Sequence, residues 1–142
     1  MQFRPFLTGE RGAVAGHDDR ASWTGISAGT TRADLARAAL EGVVFAVRSA
    51  FELLEVSDPG PVLVTGGAAR SGVVVQVLAD VLGRPVRPLG LRSASAVGAA
   101  MTAGRGVGVA VTPEREAGEV VDPRPDSAMA AALARWTDAG AV

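Results

Sequence analysis

The sequence has no cysteine, no lysine and no tyrosine, and one histidine. Without cysteine there is no disulfide framework, no thiolate metal site and no cysteine nucleophile, and the redox compartment is left open. All fourteen basic residues are arginine. That excludes a P-loop phosphate lysine, a Schiff-base amine and a lysine general base. Tyrosine acid catalysis is excluded as well. The formal net charge is -1, so no basic field exists to attract a phosphate backbone, and nucleic acid is not an expected partner. No apolar stretch approaches the roughly 18 to 20 residues that a bilayer span needs, so no membrane partner is expected either. A cytoplasmic location is the simplest expectation.

What is present suffices for one domain with a core: 142 residues, 48% of them hydrophobic. Residues 1–22 read as an irregular loop, because Pro5, Gly9, Gly12 and Gly16 interrupt any period. Trp23 to Ser27 reads as a short strand. Thr31 with Asp34 three residues on forms a capping-box-like helix start. The helix that follows carries Leu35, Ala39, Val43, Val47, Ala50 and Leu54 at three- and four-residue spacing. Ser57 to Pro61 closes it with turn chemistry.

Val62-Leu63-Val64 reads as a strand buried on both faces of a parallel sheet. A helix is expected from Ser71 to Leu82, stopped by Gly83. Pro85 to Leu89 fits an edge strand, where prolines do little damage. Ser93 is a plausible cap for a helix of small residues running to Ala103, and Gly104, Gly106 and Gly108 mark a turn region. Residues 112–125 are polar and proline-punctuated. A last amphipathic helix over 127–139 presents Met129, Leu133 and Trp136 on one face. Strand-helix-strand-helix order makes the fold class α/β.

The most informative stretch is Thr65-Gly66-Gly67-Ala68-Ala69-Arg70-Ser71-Gly72, a glycine turn between a buried strand and a helix. Glycine has no Cβ, so backbone can approach a nucleotide closely, and free N–H groups at the helix start favour an anion or a polar ribose. A P-loop requires a lysine that the chain lacks. A short-chain dehydrogenase loop would place its next glycine at Arg70, and its tyrosine and lysine are missing. Two readings stay open locally: a tight turn with no ligand, and the adenosine loop of an actin-like ATPase.

The wider pattern resembles one family. Pro5-Phe6-Leu7, Gly9-Glu10-Arg11, Asp18 with Arg20, Gly25-Ile26-Ser27, Thr31-Arg32-Ala33, Leu35 to Ala38, Leu40-Glu41-Gly42-Val43, Gly66-Gly67, Ala69-Arg70-Ser71, Leu78 to Val86 and Gly98-Ala99-Ala100 follow the order and spacing of FGGY carbohydrate kinases of the xylulokinase type. The resemblance covers Pro5 to about Gly106, and more weakly the tail through Pro123, Pro125 and the last helix. It implies the actin-like (ribonuclease H-like) fold, and within it the C-terminal, nucleotide-binding half, incomplete at its N-terminus. Residues 1–30 are then an opening loop and short strand, 31–110 the core of that domain, and 111–142 a C-terminal tail and helix.

The resemblance also implies roles. Gly66, Gly67 and Ala68 would lie against the adenosine, with Arg70 and Ser71 near the adenine, and Gly98 would let the last core helix pack close to the same region. The cofactor would be ATP with Mg2+, the metal held mainly through the nucleotide and another domain. The implied reaction transfers the γ-phosphoryl group to a ketopentose hydroxyl such as that of xylulose. The catalytic aspartate, the phosphate loops and most sugar contacts belong to a domain preceding residue 1, so no catalytic residue is expected among these 142 and the isolated chain is expected to be inactive. Expected partners are an adenosine nucleotide and either the N-terminal half of a sugar kinase or a second copy of the chain. The alternative is a non-catalytic remnant serving as a nucleotide-binding or protein-interaction module. Ala68, where a third glycine is usual, Ser93, where glutamate is frequent, and Ala13 and Ala15 depart from the family pattern.

Other residues have simpler explanations. His17 beside Asp18 and Asp19 reads as a solvated loop residue and not a metal ligand. Glu10 and Arg11 read as a structural ion pair, Asp34 as a cap and Asp80 as a solvated helix residue. Trp23 and Trp136 read as packing residues.

Overall fold

The computed structural model describes residues 1–10, 15–55, 60–91 and 93–139. Arg11, Ala13 and most of the turn expected over Ser57 to Pro61 lie outside the described residues. The chain divides into two compact units.

The first unit comprises Met1–Pro59, Asp80–Gly83 and Arg124–Val142. Its elements are β1 (Gln2–Arg4), β2 (Ser22–Thr24), the long helix α1 (Arg32–Leu53) and α4 (Ser127–Asp138). Helix α1 starts where the sequence places it. The Thr31 backbone N–H donates to Asp34 Oδ2 at 2.9 Å and the Thr31 hydroxyl donates to the same oxygen at 2.7 Å, while the Asp34 N–H donates to Thr31 Oγ1 at 3.2 Å. These bonds satisfy N–H groups that a helix start leaves without partners. Helix α4 is capped by Asp126, whose side chain accepts from the Ala128 and Met129 N–H groups.

β1 corrects the reading of residues 1–22 as irregular. It pairs antiparallel with β2 in the register Gln2–Thr24, Phe3–Trp23 and Arg4–Ser22. The Phe3 and Trp23 rings meet with centroids 4.3 Å apart. Such a short strand is specified by partners distant in sequence and not by local alternation. One partner is α1, where a Cβ on Gly42 would overlap the Phe3 carbonyl. Trp136 is 2% exposed and holds the centre of this unit. Its indole N–H donates to Phe3 O at 2.9 Å, its ring meets Phe45 edge-on at 6.0 Å, and the Arg4 guanidinium lies 4.8 Å over it.

The second unit comprises Gly60–Ala79 and Arg84–Pro123. It holds β3 (Val62–Val64), a single 3-10 turn (Ala68–Arg70), the start of α2 (Gly72–Leu82), β4 (Val86–Gly90), α3 (Ala94–Gly106) and β5 (Glu116–Ala117). The sheet order is β3-β4-β5, parallel then antiparallel. β4 is therefore the middle strand and not the edge strand expected from its prolines. Pro88 is tolerated because it serves the ladder as an acceptor: its carbonyl takes the Gly118 N–H at 2.9 Å. Burial of β3 on both faces is also corrected. Val86 is 0% exposed, but Leu63, which shares the opposite face with its neighbour Arg87, is 56% exposed.

Three further expectations change. Ser93 precedes α3 in a left-handed conformation (φ 52°) and its side chain makes no capping hydrogen bond. Gly104 and Gly106 lie within α3, and the chain turns at Gly108 (φ 73°). Asp80 is engaged, not merely solvated: its Oδ1 accepts the Arg124 backbone N–H at 2.7 Å. Within the first unit, Arg48 donates to the carbonyls of Val81 and Leu82 at 3.2 and 2.7 Å and pairs with Glu52 at 2.7 Å. Placing a guanidinium on the last carbonyls of α2 satisfies acceptors that a helix end leaves open.

Candidate nucleotide site

Strand β3 delivers the chain into Thr65, whose hydroxyl donates to Leu89 O at 3.1 Å and ties the loop to β4. Gly66 then takes a positive φ of 101°, a conformation that any side chain would strain. Gly67 returns to the right-handed region (φ -61°), and the 3-10 turn follows, with the Arg70 N–H on Gly67 O at 3.2 Å and the Ser71 N–H on Ala68 O at 3.1 Å. The Ser71 carbonyl accepts from Val75 N–H at 3.0 Å and so begins α2.

Beside this turn lies a cavity of about 430 Å3, within the usual range for small-molecule sites. One wall is Gly66, Gly67, Ala69 and Arg70, and the other is the end of β4 from Pro88 to Leu91 with Ser93, Ala94 and Glu116. Of the residues expected to bind nucleotide, Gly66, Gly67 and Arg70 line the cavity. Ala68 and Ser71 belong to the same turn without lining it. Gly98 lies on α3 one turn beyond the lining residue Ala94 without itself lining the cavity, and a Cβ there would meet nothing within 4 Å among the described residues. The close-packing glycine of α3 is Gly104, where a Cβ would stand 2.5 Å from Val109 O.

Sequence reasoning did not find the second wall. Glu116 sits in a proline-punctuated stretch with no strand pattern, and its place follows from pairing opposite Gly90 in β5. Arg70 and Glu116 are both exposed, and neither side chain has a hydrogen-bond or ion-pair partner among the described residues. Among the described lining residues Arg70 is the one cation and Glu116 the one anion.

The other polar groups singled out in the sequence do not assemble a site. His17 is exposed, and its carbonyl accepts from Arg20 at 3.0 Å. Glu10 Oε2 accepts the Ala15 N–H at 2.9 Å, which shapes its own loop. Among the described residues no three His, Cys, Asp or Glu side chains converge as a metal cage, and no helix is long and apolar enough to cross a membrane.

Residues 1–107 match the C-terminal domain of the FGGY family of carbohydrate kinases. The chain belongs to this family. A glycerol kinase from Synechocystis is 38% identical over 86 residues, covering 58% of this chain and 17% of that protein. A xylulose kinase from Staphylococcus epidermidis is 31% identical over 108 residues, covering 75% of this chain and 22% of that kinase. The crystal structure of xylulose kinase from Rhodospirillum rubrum superimposes with a TM-score of 0.69 at 30% identity, over 98% of this chain and 29% of that one. Glycerol kinase from Plasmodium falciparum, solved with ADP, shares the fold with a TM-score of 0.72 at 20% identity, over 97% of this chain and 29% of that one. The fold is thus the actin-like ATPase fold of FGGY kinases, and the chain spans less than a third of the relatives it matches.

Proposed function

We propose that this chain is the adenosine-binding part of a sugar kinase that transfers the γ-phosphoryl group of ATP to a ketopentose hydroxyl, xylulose being the first candidate, together with an N-terminal domain that supplies the base. The observation that carries this is the space at Gly67. Its backbone is right-handed and nothing among the described residues lies within 4 Å of where a Cβ would be, on the loop that forms one wall of the cavity. Glycine there leaves the backbone open to a ligand seated in that cavity. Gly66, Gly67, Ala68, Arg70, Ser71 and Gly98 are the residues proposed to form or support the nucleotide site.

Phosphoryl transfer depends on positioning and on charge stabilisation around metal-bound phosphates. Mg2+ bound through the phosphates would supply that stabilisation. The contribution of this chain is to hold and orient the nucleoside. Exposed apolar residues along α1 and at its C-cap support a protein partner: Val43 is 48%, Val47 44% and Leu54 70% exposed. The partner proposed is the N-terminal half of such a kinase, with a second copy as the alternative.

Calorimetric titration with ATP tests the site. Weak binding by the wild type that is lost in Gly67→Leu is expected, with no xylulose phosphorylation by the chain alone. Unchanged affinity in Gly67→Leu would remove the loop from the site, and turnover by the chain alone would overturn the division of labour.

A further inference from the structure

Pro113, Glu114 and Glu116 lie beyond the residues that match the family, yet Glu116 forms part of the cavity wall opposite the glycine loop. Its placement is built. β5 pairs Glu116 with Gly90, and a Cβ on Gly90 would stand 3.1 Å from Glu116 Cβ and 3.5 Å from its Oε2. The Glu116 side chain thus lies across a strand position that has no side chain of its own. The carboxylate has no hydrogen-bond or ion-pair partner among the described residues. It presents two acceptor oxygens and no donor.

We infer that Glu116 is a specificity residue that grips the 2′,3′-diol of the nucleotide's ribose, and this rests on the proposed adenosine site. An ionised carboxylate binds best to two adjacent donors. The ribose diol offers such a pair on an adenosine nucleotide. The 6-amino group of adenine is flanked by the lone pairs of N1 and N7, which a carboxylate repels, and the phosphates are anions. The diol therefore turns towards Glu116, with the phosphates directed away from it. Gly90 is the positioning residue, because any side chain there would displace the carboxylate.

The test compares Kd values of the 142-residue chain for ATP, 2′-deoxy-ATP and GTP. Wild type is expected to prefer ATP over 2′-deoxy-ATP about tenfold, the effect of one hydrogen bond to a charged group. Glu116→Ala should reduce that ratio to about one, and Gly90→Ala should lower it by displacing the carboxylate while the glutamate is still present in the chain. A wild type that binds ATP and 2′-deoxy-ATP equally overturns the assignment without any variant having to fold, as does a preference that survives Glu116→Ala. A preference for GTP that Glu116→Ala removes would give the carboxylate to the guanine N1–H and 2-amino edge, and so overturn the diol assignment. Failure of every nucleotide to bind wild type would overturn the adenosine site itself, an outcome distinct from binding without ribose discrimination.

Discussion

Gly42 and Gly67 are both glycines with no positive φ, and they answer to different demands. In the first unit Gly42 sits mid-helix, where glycine ordinarily costs about 1 kcal/mol relative to alanine, and it is kept because the Phe3 carbonyl occupies the place of its Cβ. In the second unit Gly67 borders empty space. Crowding by the chain explains Gly42, whereas at Gly67 the space is open and borders the cavity proposed to take the nucleotide. The surroundings of a missing side chain thus identify a glycine that packing requires, which the residue type cannot.

The largest expected break in this comparison is Gly42→Val. It forces β1 off α1 and should destabilise the first unit by about 3 kcal/mol, the upper range for overpacking, as measured by urea unfolding. A loss below about 0.5 kcal/mol, the scale of an uninvolved surface change, would show that β1 does not pack on α1 as described. Alanine sharpens the contrast. Gly67→Ala suits a right-handed backbone with free space and is expected to leave stability unchanged or raise it by about 0.4 to 1 kcal/mol, whereas Gly42→Ala should lower it. The same sign at both positions would erase the distinction.

A smaller effect than at Gly42 is expected at the start of α1. Thr31→Ala removes a cap and should cost about 1 kcal/mol. The Thr31 hydroxyl, then its backbone N–H, hold the Asp34 carboxyl below the ordinary carboxylate range. A carboxyl with a depressed folded pKa contributes stability that is complete above its unfolded value and is lost as pH falls through the folded one. The difference between wild type and Thr31→Ala should therefore be constant near neutrality and shrink in acid. Thermal melts across that range would show it, and a difference that grows in acid would contradict the capping geometry.

What could be read from the sequence was local. The Thr31–Asp34 box, the Gly83 stop and the amphipathic face of α4 each lie within a few residues, and each is found as expected. The glycine loop was legible because strand, turn and helix follow one another directly. β1 was not, since its pairing with Trp23 and its seat on Gly42 bring together residues far apart in the chain. The middle position of β4 was hidden for the same reason: it depends on Glu116–Ala117, a strand too short to leave a period. The place of Glu116 in the cavity wall went unread with it. The exposure of Leu63 was unreadable because an apolar triplet does not declare how many of its faces are covered.

The Trp136 indole N–H on Phe3 O, the Arg4 guanidinium on Trp136 O at 3.3 Å and the Gln2 amide on Ala132 O at 3.5 Å join residues 2–4 to residues 132–136. In synthesis residues 2–4 leave the ribosome about 130 residues ahead of these partners. Every one of the three contacts closes a loop of about 130 residues, so the entropic cost of the last docking is high and its sequence separation large. The glycine-loop turn, its strand and its helix are complete long before. A nascent chain would therefore carry a formed glycine loop while the aromatic centre of the other unit still waits for α4. Shortening that loop by circular permutation, with the segment of β1 joined directly to the end of α4, should speed the docking step without altering the cavity.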